Sequence, residues 1–311
     1  MKLALTLDTR DEHDLIFCQQ VGVRYVLSQP DAWDLAALRA MRHRAHIAGL
    51  ELLAVEALPP ALYANALLGA PGADAEIAAL QQMLRDLGAA GIATVAYRWA
   101  PPTLERTTFA PLGRGGAQVR GYDPALLVRD MPSPPGLNAE ALWINLARFL
   151  DALLPVAEHA GVRLAAQLDC PPRASVGGVP RILVGPAAIR RFLDLAPSPA
   201  HGLDLHTETV ALIPDSDLNA LIRQIARRGK LFMLRLGSVQ PHGDGFRECF
   251  LDEGIVSVPQ VLRTLRELGY TGIVRTAPPP TLVGDTDWGH KGRAHDIGYV
   301  KALSQVVEQL P

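Results

Sequence analysis

The stretch HAGVRLAAQLD, residues 159–169, decides how the rest of the chain is read. It ends a run of helical periodicity at Gly161 and passes at once into an apolar segment that finishes on Gln167 and Asp169. Glycine suits the left-handed residue that closes a helix, because it has no Cβ to clash. The segment after it has strand length and is apolar on both alternating faces, as a parallel strand covered on both sides must be. The same unit recurs as Gly49 before LELLAVEA, Gly91 before IATVAYRW, Gly229 before KLFMLRLG and Gly269 before YTGIVRTA.

Adding MKLALTL at the start, RYVLSQ at 24–29 and GLDLHTE at 202–208 gives eight strands. The periodicity predicts helices over Asp11 to Val21, Leu35 to Ala48, Ala75 to Ala90, Ala139 to Ala160, Ala187 to Leu195, Leu218 to Arg228, Val258 to Leu268 and Asp296 to Leu310. Eight alternating strand and helix units predict one α/β domain, residues 1–311, closed as a (β/α)8 TIM barrel rather than laid out as a doubly wound sheet. Two excursions interrupt the plan, a long loop at 101–138 and a closing loop at 277–295. Both follow strands, which puts them on the face where barrels of this kind carry their sites.

Composition removes several function classes. Thirty basic against 32 acidic residues give a formal charge of −2, so no clustered cationic excess points to nucleic acid. The densest basic run, Arg223 to Lys230, falls at a helix end, where cations complement the dipole. No stretch approaches the roughly 20 apolar residues a membrane span needs. Three cysteines at unrelated spacings form neither a disulfide framework nor a zinc ribbon, and the N-terminal apolar run is broken by Asp8 and Arg10. The expectation is a cytoplasmic protein; a homo-oligomer is left open.

In a closed barrel the residues at the C-terminal strand ends meet at one mouth. They are Glu56, Tyr97, Arg98, Trp99, Gln167, Asp169, Cys170, His206, Glu208, Arg235 and Arg275. Arginines beside Tyr97, Gln167 and His206 suit a small hydroxylated anion such as a sugar acid, since guanidinium grips carboxylate with two prongs. The alternative is that those arginines pair with Glu56, Asp169 and Glu208 to close the barrel end. His206 with Asp169 and Glu208 has no diagnostic metal spacing, and the expectation is that no metal is bound. His13, His43, His46, His159 and His201 read as surface residues, whereas His290 and His295 lie in the closing loop. Gly289 and Gly292 ahead of a helix starting near Asp296 could cradle phosphate, but Asp296 reads better as a helix cap. GRGG at 113–116 does not sit between a strand and a helix, as a dinucleotide loop must.

Taken in order, AGLELLAVEALP, VAYRW followed by Arg106-Thr107, GRGGAQVRGYD, AGVRLAAQLDCPP, GLDLHTET, KLFMLRLGSV, FRECFLDEG and GDTDWGHKGRAHDIGYVKAL resemble the mannonate dehydratase family nearly end to end. The resemblance implies a xylose-isomerase-like barrel, removal of water from D-mannonate to give 2-keto-3-deoxy-D-gluconate, and Mn2+ or Fe2+ as cofactor. It also implies that the family's metal ligands fall on Gln167, His206, Arg235 and Ala277, with a neighbouring histidine replaced by Pro278. Of these, only His206 keeps a side chain that binds metal in the usual way. A tyrosine of the family's closing segment is His295 here, while Arg293 is retained.

Proton removal beside a carboxylate builds negative charge that a divalent ion usually holds. The substitutions therefore point to guanidinium groups in that role, with His206, His295 and Arg235 as the catalytic candidates. Tyr97, Arg106, Gln167, Arg275 and Arg293 are the candidates for binding the substrate. The activity expected is lyase-type dehydration of an aldonate, in a form for which metal dependence is not expected. The alternatives are a sugar isomerase or epimerase, and a non-catalytic sugar-acid-binding protein.

Overall fold

A computed structural model describes residues 1–101, 106–127 and 136–309. Its strands, in chain order, are β1 (Lys2–Thr6), β2 (Tyr25–Ser28), β3 (Glu51–Val55), β4 (Thr94–Arg98), β5 (Thr108–Ala110), β6 (Val119–Tyr122) and β7 (Arg163–Gln167). They continue as β8 (Ser175–Val176), β9 (Val179–Pro180), β10 (His201–His206), β11 (Leu231–Leu236), β12 (Ser238–His242), β13 (Gly245–Cys249) and β14 (Ile273–Thr276). The helices are α1 (Glu12–Gln20), α2 (Leu35–Ile47), α3 (Ala64–Leu68), α4 (Ala73–Ala89) and α5 (Ala139–Ala160). After them come α6 (Pro186–Asp194), α7 (Thr207–Ala211), α8 (Leu218–Arg227), α9 (Val258–Glu267) and α10 (His290–Gln309).

Eight parallel strands close in the order β1-β14-β11-β10-β7-β4-β3-β2, which is the barrel the repeating unit predicts. The glycines that carry that reading behave as argued: Gly49, Gly91, Gly161, Gly229 and Gly269 all have φ between 58° and 72°. Gly161 closes α5, receiving its place from backbone bonds to the last helical carbonyls.

Two apolar layers follow from the alternation of each strand. The inner one is narrow and built mainly of Ala4, Leu27, Ala54, Ala96, Ala165, Met233 and Ile273, so small side chains fill the barrel axis. The outer one is the main core between strands and helices, where Trp99, Tyr97, Tyr63 and Phe149 pack together. Among the described residues no helix is long and apolar enough to cross a membrane.

What covers the mouth differs from a pair of plain loops. The segments after β4 and after β11 each fold into a hairpin, and the two join as an antiparallel sheet in the order β12-β13-β6-β5. Tyr122, Val239 and Phe246 bury its lower face with Cys170 and Val176 in a small separate core. Paired backbone bonds between Gln118 and Thr281, at 3.1 and 2.9 Å, tie the loop after β14 to the same sheet. Three loops are thus knitted into one cover. Residues 102–105 and 128–135 of the expected long loop, and the expected helix end at Leu310, lie outside the described residues.

The closing loop is shorter than expected. α10 starts at His290, and Asp285 accepts N–H bonds from Lys291 (2.9 Å) and Gly292 (3.0 Å). Asp296 therefore lies inside the helix and caps nothing, a correction to the sequence reading. Asp285 already takes the amides of a would-be phosphate cradle.

Candidate active site

Alternation along β10 places Asp204 and His206 on the inner face, while Leu203 and Leu205 join the outer core. Asp204 receives a two-pronged grip from Arg275, Nη1 to Oδ1 at 2.8 Å and Nη2 to Oδ2 at 2.7 Å. Gln167 donates to Asp204 Oδ2 at 3.0 Å, and Glu56 lies 3.6 Å from the same guanidinium. His206 Nε2 is 3.2 Å from Asp204 Oδ2 and 3.5 Å from Arg275 Nη2. A bare nitrogen lone pair facing a carboxylate would be repelled, so Nε2 carries the proton and donates it to Asp204. Nδ1 then keeps the lone pair.

Burial sets the strength of this cluster. Arg275 and Asp204 are 0% exposed and His206 is 1% exposed, so each charge depends on its partner rather than on water. Burial alone would lower the pKa of Arg275, but Asp204 and Glu56 hold it above the usual arginine value. Burial would likewise raise Asp204, yet Arg275 and His206 hold it well below the ordinary carboxylate range. His206 is pushed down by burial and by the charge of Arg235, opposed in part by Asp204, which favours the neutral imidazole.

Beside the cluster, Arg235 donates Nε to Glu208 Oε1 at 2.9 Å and pairs with the same oxygen through Nη2. Burial would raise Glu208, but Arg235 and His206 keep it lowered. Its Oε2 is buried and has no hydrogen-bond partner among the described residues. Gly237 leaves the space: a Cβ there would lie 2.6 Å from Glu208 Oε2. Glu208, Gly237, Ala277 and Asp296 line a chamber of about 10 Å3, close to the size of one water. A larger cavity of about 220 Å3 shares Glu248, Pro278 and Pro279 with that chamber and is lined further by Gln118, Arg120 and Arg293. It is smaller than the roughly 300–1,000 Å3 of drug-sized sites, which fits a compact substrate.

The expected site residues divide into several groups. Gln167, His206 and Arg275 come together around Asp204. Arg235 stands next to them but is matched by Glu208 rather than open to the mouth. Arg106 is held under the cover by Glu248, at 2.9 and 2.8 Å, and lies over the Phe246 ring. Arg293 lines the larger cavity, donates to the Trp288 carbonyl at 2.9 Å and stacks on its ring.

His295 lies outside both cavities, on the rim, 3.1 Å from Asp296 and 5.4 Å from the Phe250 ring centre. Its hydrogen bond to Asp296 raises the imidazole pKa, while burial raises that of Asp296, so the pair retains a proton. Tyr97 is a correction: it faces the helices, 5.8 Å from Phe149, because its neighbours Ala96 and Arg98 take the inner face. Trp99 is turned outward too, donating to Leu142 O at 3.0 Å. His201, expected on the surface, is fully buried, with Nε2 2.7 Å from Phe192 O.

Four further residues take part that the sequence leaves unmarked or unassigned. Asp204 reads as strand interior, although its position two before His206 puts it on the same face. Arg181 pairs at 3.5 Å with Asp169, whose carboxylate also accepts the amides of Ile182 and Leu183. Glu248 binds both Arg106 and Arg120, and nothing local marks it. Glu208 falls at the rim as expected, but its free oxygen has no signal in the sequence.

A divalent ion does not fit this arrangement. The guanidinium of Arg275 already occupies the centre formed by Asp204, His206 and Glu56, and a second cation there would be repelled. Position 235 carries a cation and position 277 an alanine. Among the described residues no three His, Cys, Asp or Glu side chains gather where they could hold a metal ion.

A closed parallel barrel with its polar cluster at the C-terminal strand ends defines a (β/α)8 protein of the xylose-isomerase-like class. A xylose isomerase domain protein from Planctomyces limnophilus shares the fold with TM-score 0.64 at 14% identity, over 99% of this chain and 98% of that one. Within the class the chain belongs to the D-mannonate dehydratase family, whose profile matches residues 8–134 and 135–310. The mannonate dehydratase of Shouchella clausii is 29% identical over 278 residues, 79% of this chain and 77% of that protein. The crystal structure of mannonate dehydratase from Streptococcus suis superposes with TM-score 0.91 at 25% identity, covering 99% of this chain and 95% of the other.

Proposed function

We propose that this chain is a carbohydrate hydro-lyase that dehydrates an aldonate-type sugar acid and uses guanidinium charge in place of a divalent ion. The observation that carries the reading is the buried Asp204–Arg275–His206 cluster at the strand ends, beside Gln167 and Arg235, on which the resemblance implies that the family's metal ligands fall. The larger cavity takes the sugar acid, with Arg120 and Arg293 opposing its carboxylate.

His206 Nδ1, oriented by the bond from Nε2 to Asp204, is in this reading the base that takes the proton from the carbon beside the carboxylate. Because His206 lines neither cavity, the reading requires the reacting end of the sugar acid to pass the small chamber at Glu208 and reach the cluster. The charge that develops is met by fixed guanidinium groups in a site screened from water by the sheet cover. Asp296, which lines the small chamber and is hydrogen-bonded to His295 on the rim, supplies the proton with which the neighbouring hydroxyl leaves as water, and the resulting enol rearranges to a 2-keto-3-deoxy acid. The proton taken by His206 is released to solvent and the His295–Asp296 pair regains one from it, so each cycle loses one water and needs no redox partner.

One observation favours a second reading, sugar-acid binding without turnover: the cluster is sealed, and Arg275 and Asp204 largely neutralise each other. The test is to incubate the protein with D-mannonate and related aldonates in the presence of excess chelator and follow the 2-keto-3-deoxy product. Turnover unaffected by chelator and lowered about 100-fold or more in His206→Gln is the expected result. Turnover that depends on added Mn2+ or Fe2+ overturns the ion-free reading. Saturable binding with no product across the panel establishes the second reading instead.

A further inference from the structure

The end of the barrel opposite the mouth opens into a concavity of about 810 Å3 that the proposed dehydration does not use. Its floor is apolar, made by Leu53, Phe232 and Ile273 of β3, β11 and β14. Five cations reach it: Lys2, Arg24, Arg39, Arg42 and Arg163. The only carboxylate among its lining residues is Glu51, which lies 3.6 Å from Lys2. His43 and His46, on the same helix as Arg39 and Arg42, add two imidazoles.

This positive excess is local, since the chain as a whole carries a formal charge of −2. A concave wall of low dielectric focuses such a field and raises the local concentration of anions. Parts of the array are positioned in advance. Arg42 donates to Ala90 O at 2.8 Å, which fixes it at the end of α4. Lys2 lies over the Tyr25 ring and Arg163 over the Phe232 ring, at 5.2 and 5.1 Å. Arg24 and Arg39 are exposed, and among the described residues their side chains have neither a hydrogen bond nor an ion pair.

We propose that this concavity binds a compact polyphosphate group, whether as a free oligophosphate or as the phosphate tail of a nucleotide. Guanidinium forks match phosphate oxygens, and several cations converging from different elements need a ligand carrying several negative charges in a small volume. A nucleic acid strand fits less well. The cations surround one hollow instead of tracking a groove, and Phe232, the one Phe, Tyr or Trp ring among its lining residues, is already covered by Arg163.

Titration calorimetry of the full chain with sodium tripolyphosphate at low ionic strength tests the site. Saturable binding that weakens steeply with added salt is expected. The double variant Arg24→Glu, Arg39→Glu should weaken it about tenfold or more, since removing even one charge-assisted hydrogen bond costs about that factor. An unchanged melting temperature would show that the fold is retained, and Arg39→Gln serves if the double variant does not fold. Equal affinity for tripolyphosphate and ATP identifies the phosphate chain as the whole ligand, and tighter ATP binding adds the nucleoside. Absence of saturable binding, binding unchanged in the variants, or oligonucleotide binding that tripolyphosphate does not displace would overturn the proposal.

Discussion

At the C-terminal mouth Arg275, Arg235, Arg181 and Arg106 each face a carboxylate, whereas at the N-terminal end Arg24 and Arg39 look into an open hollow in which Glu51 is the one carboxylate among the lining residues. The mouth is closed over by a sheet; the base is open. Arginine therefore does different physical work at the two ends. Buried and paired, it is a fixed part of the scaffold whose charge is felt at short range in a poorly screened interior. Exposed and unmatched, it is a reservoir of binding potential that salt can screen. The number of arginines at a barrel end thus says less about its chemistry than the number of carboxylates that answer them.

The contrast can be broken most directly at Asp204. Asp204→Ala leaves the guanidinium of Arg275 buried with Glu56 as its remaining ion pair among the described residues, and the expected cost is about 3–5 kcal/mol of unfolding free energy in denaturant titration. A loss below about 1 kcal/mol would mean that the cluster is solvated and that the two ends do not differ as described.

A second handle is His201, buried on β10 outside the ligand cluster. Burial lowers its pKa from 6.5 to about 4, opposed in part by the Phe192 carbonyl. Between those values the unfolded chain binds a proton that the folded chain refuses. The stability His201 allows at neutral pH is therefore lost progressively as pH falls from 6.5 toward 4, and is level below that. The loss is about 3 kcal/mol at 1.36 kcal/mol per unit. His201→Asn should flatten that part of the curve of stability against pH relative to the parent chain. An unchanged curve would show that the imidazole titrates freely.

The smallest effect belongs to the open end. Lys2 and Glu51 are 42% and 48% exposed, and a double-mutant cycle on them should return about 0–1 kcal/mol, decreasing with salt. A larger, salt-insensitive coupling would place the base of the barrel in the same regime as the mouth.

Much of the fold is legible because its signals are local. A glycine after a helical run and an apolar segment of strand length depend on neighbouring residues alone, and α5 falls on Ala139–Ala160 as the periodicity predicts. The sheet cover is not legible. β6 pairs with β13 across more than a hundred residues, and the short hairpins resemble ordinary Pro- and Gly-rich loops until the barrel brings them together. Tyr97 is misplaced by the sequence for a different reason. Its residue type suits a binding site, but strand alternation beside Ala96 turns it toward Phe149, and the inner or outer parity of a strand emerges only when the sheet closes.

By itself the sequence determined the eight barrel strands, the closed barrel they imply, the family, and the residues that reach the strand ends. Those properties follow from backbone preference and hydrophobic period, which act over a few residues. The tertiary structure alone decided which charges neutralise which: Arg275 meets Asp204 across 71 positions, Arg235 is matched by Glu208, and Arg24 and Arg39 at the base have no ion-pair partner among the described residues. The reason is that electrostatic pairing depends on distance in space and on exclusion of water, and neither exists until the chain has closed on itself.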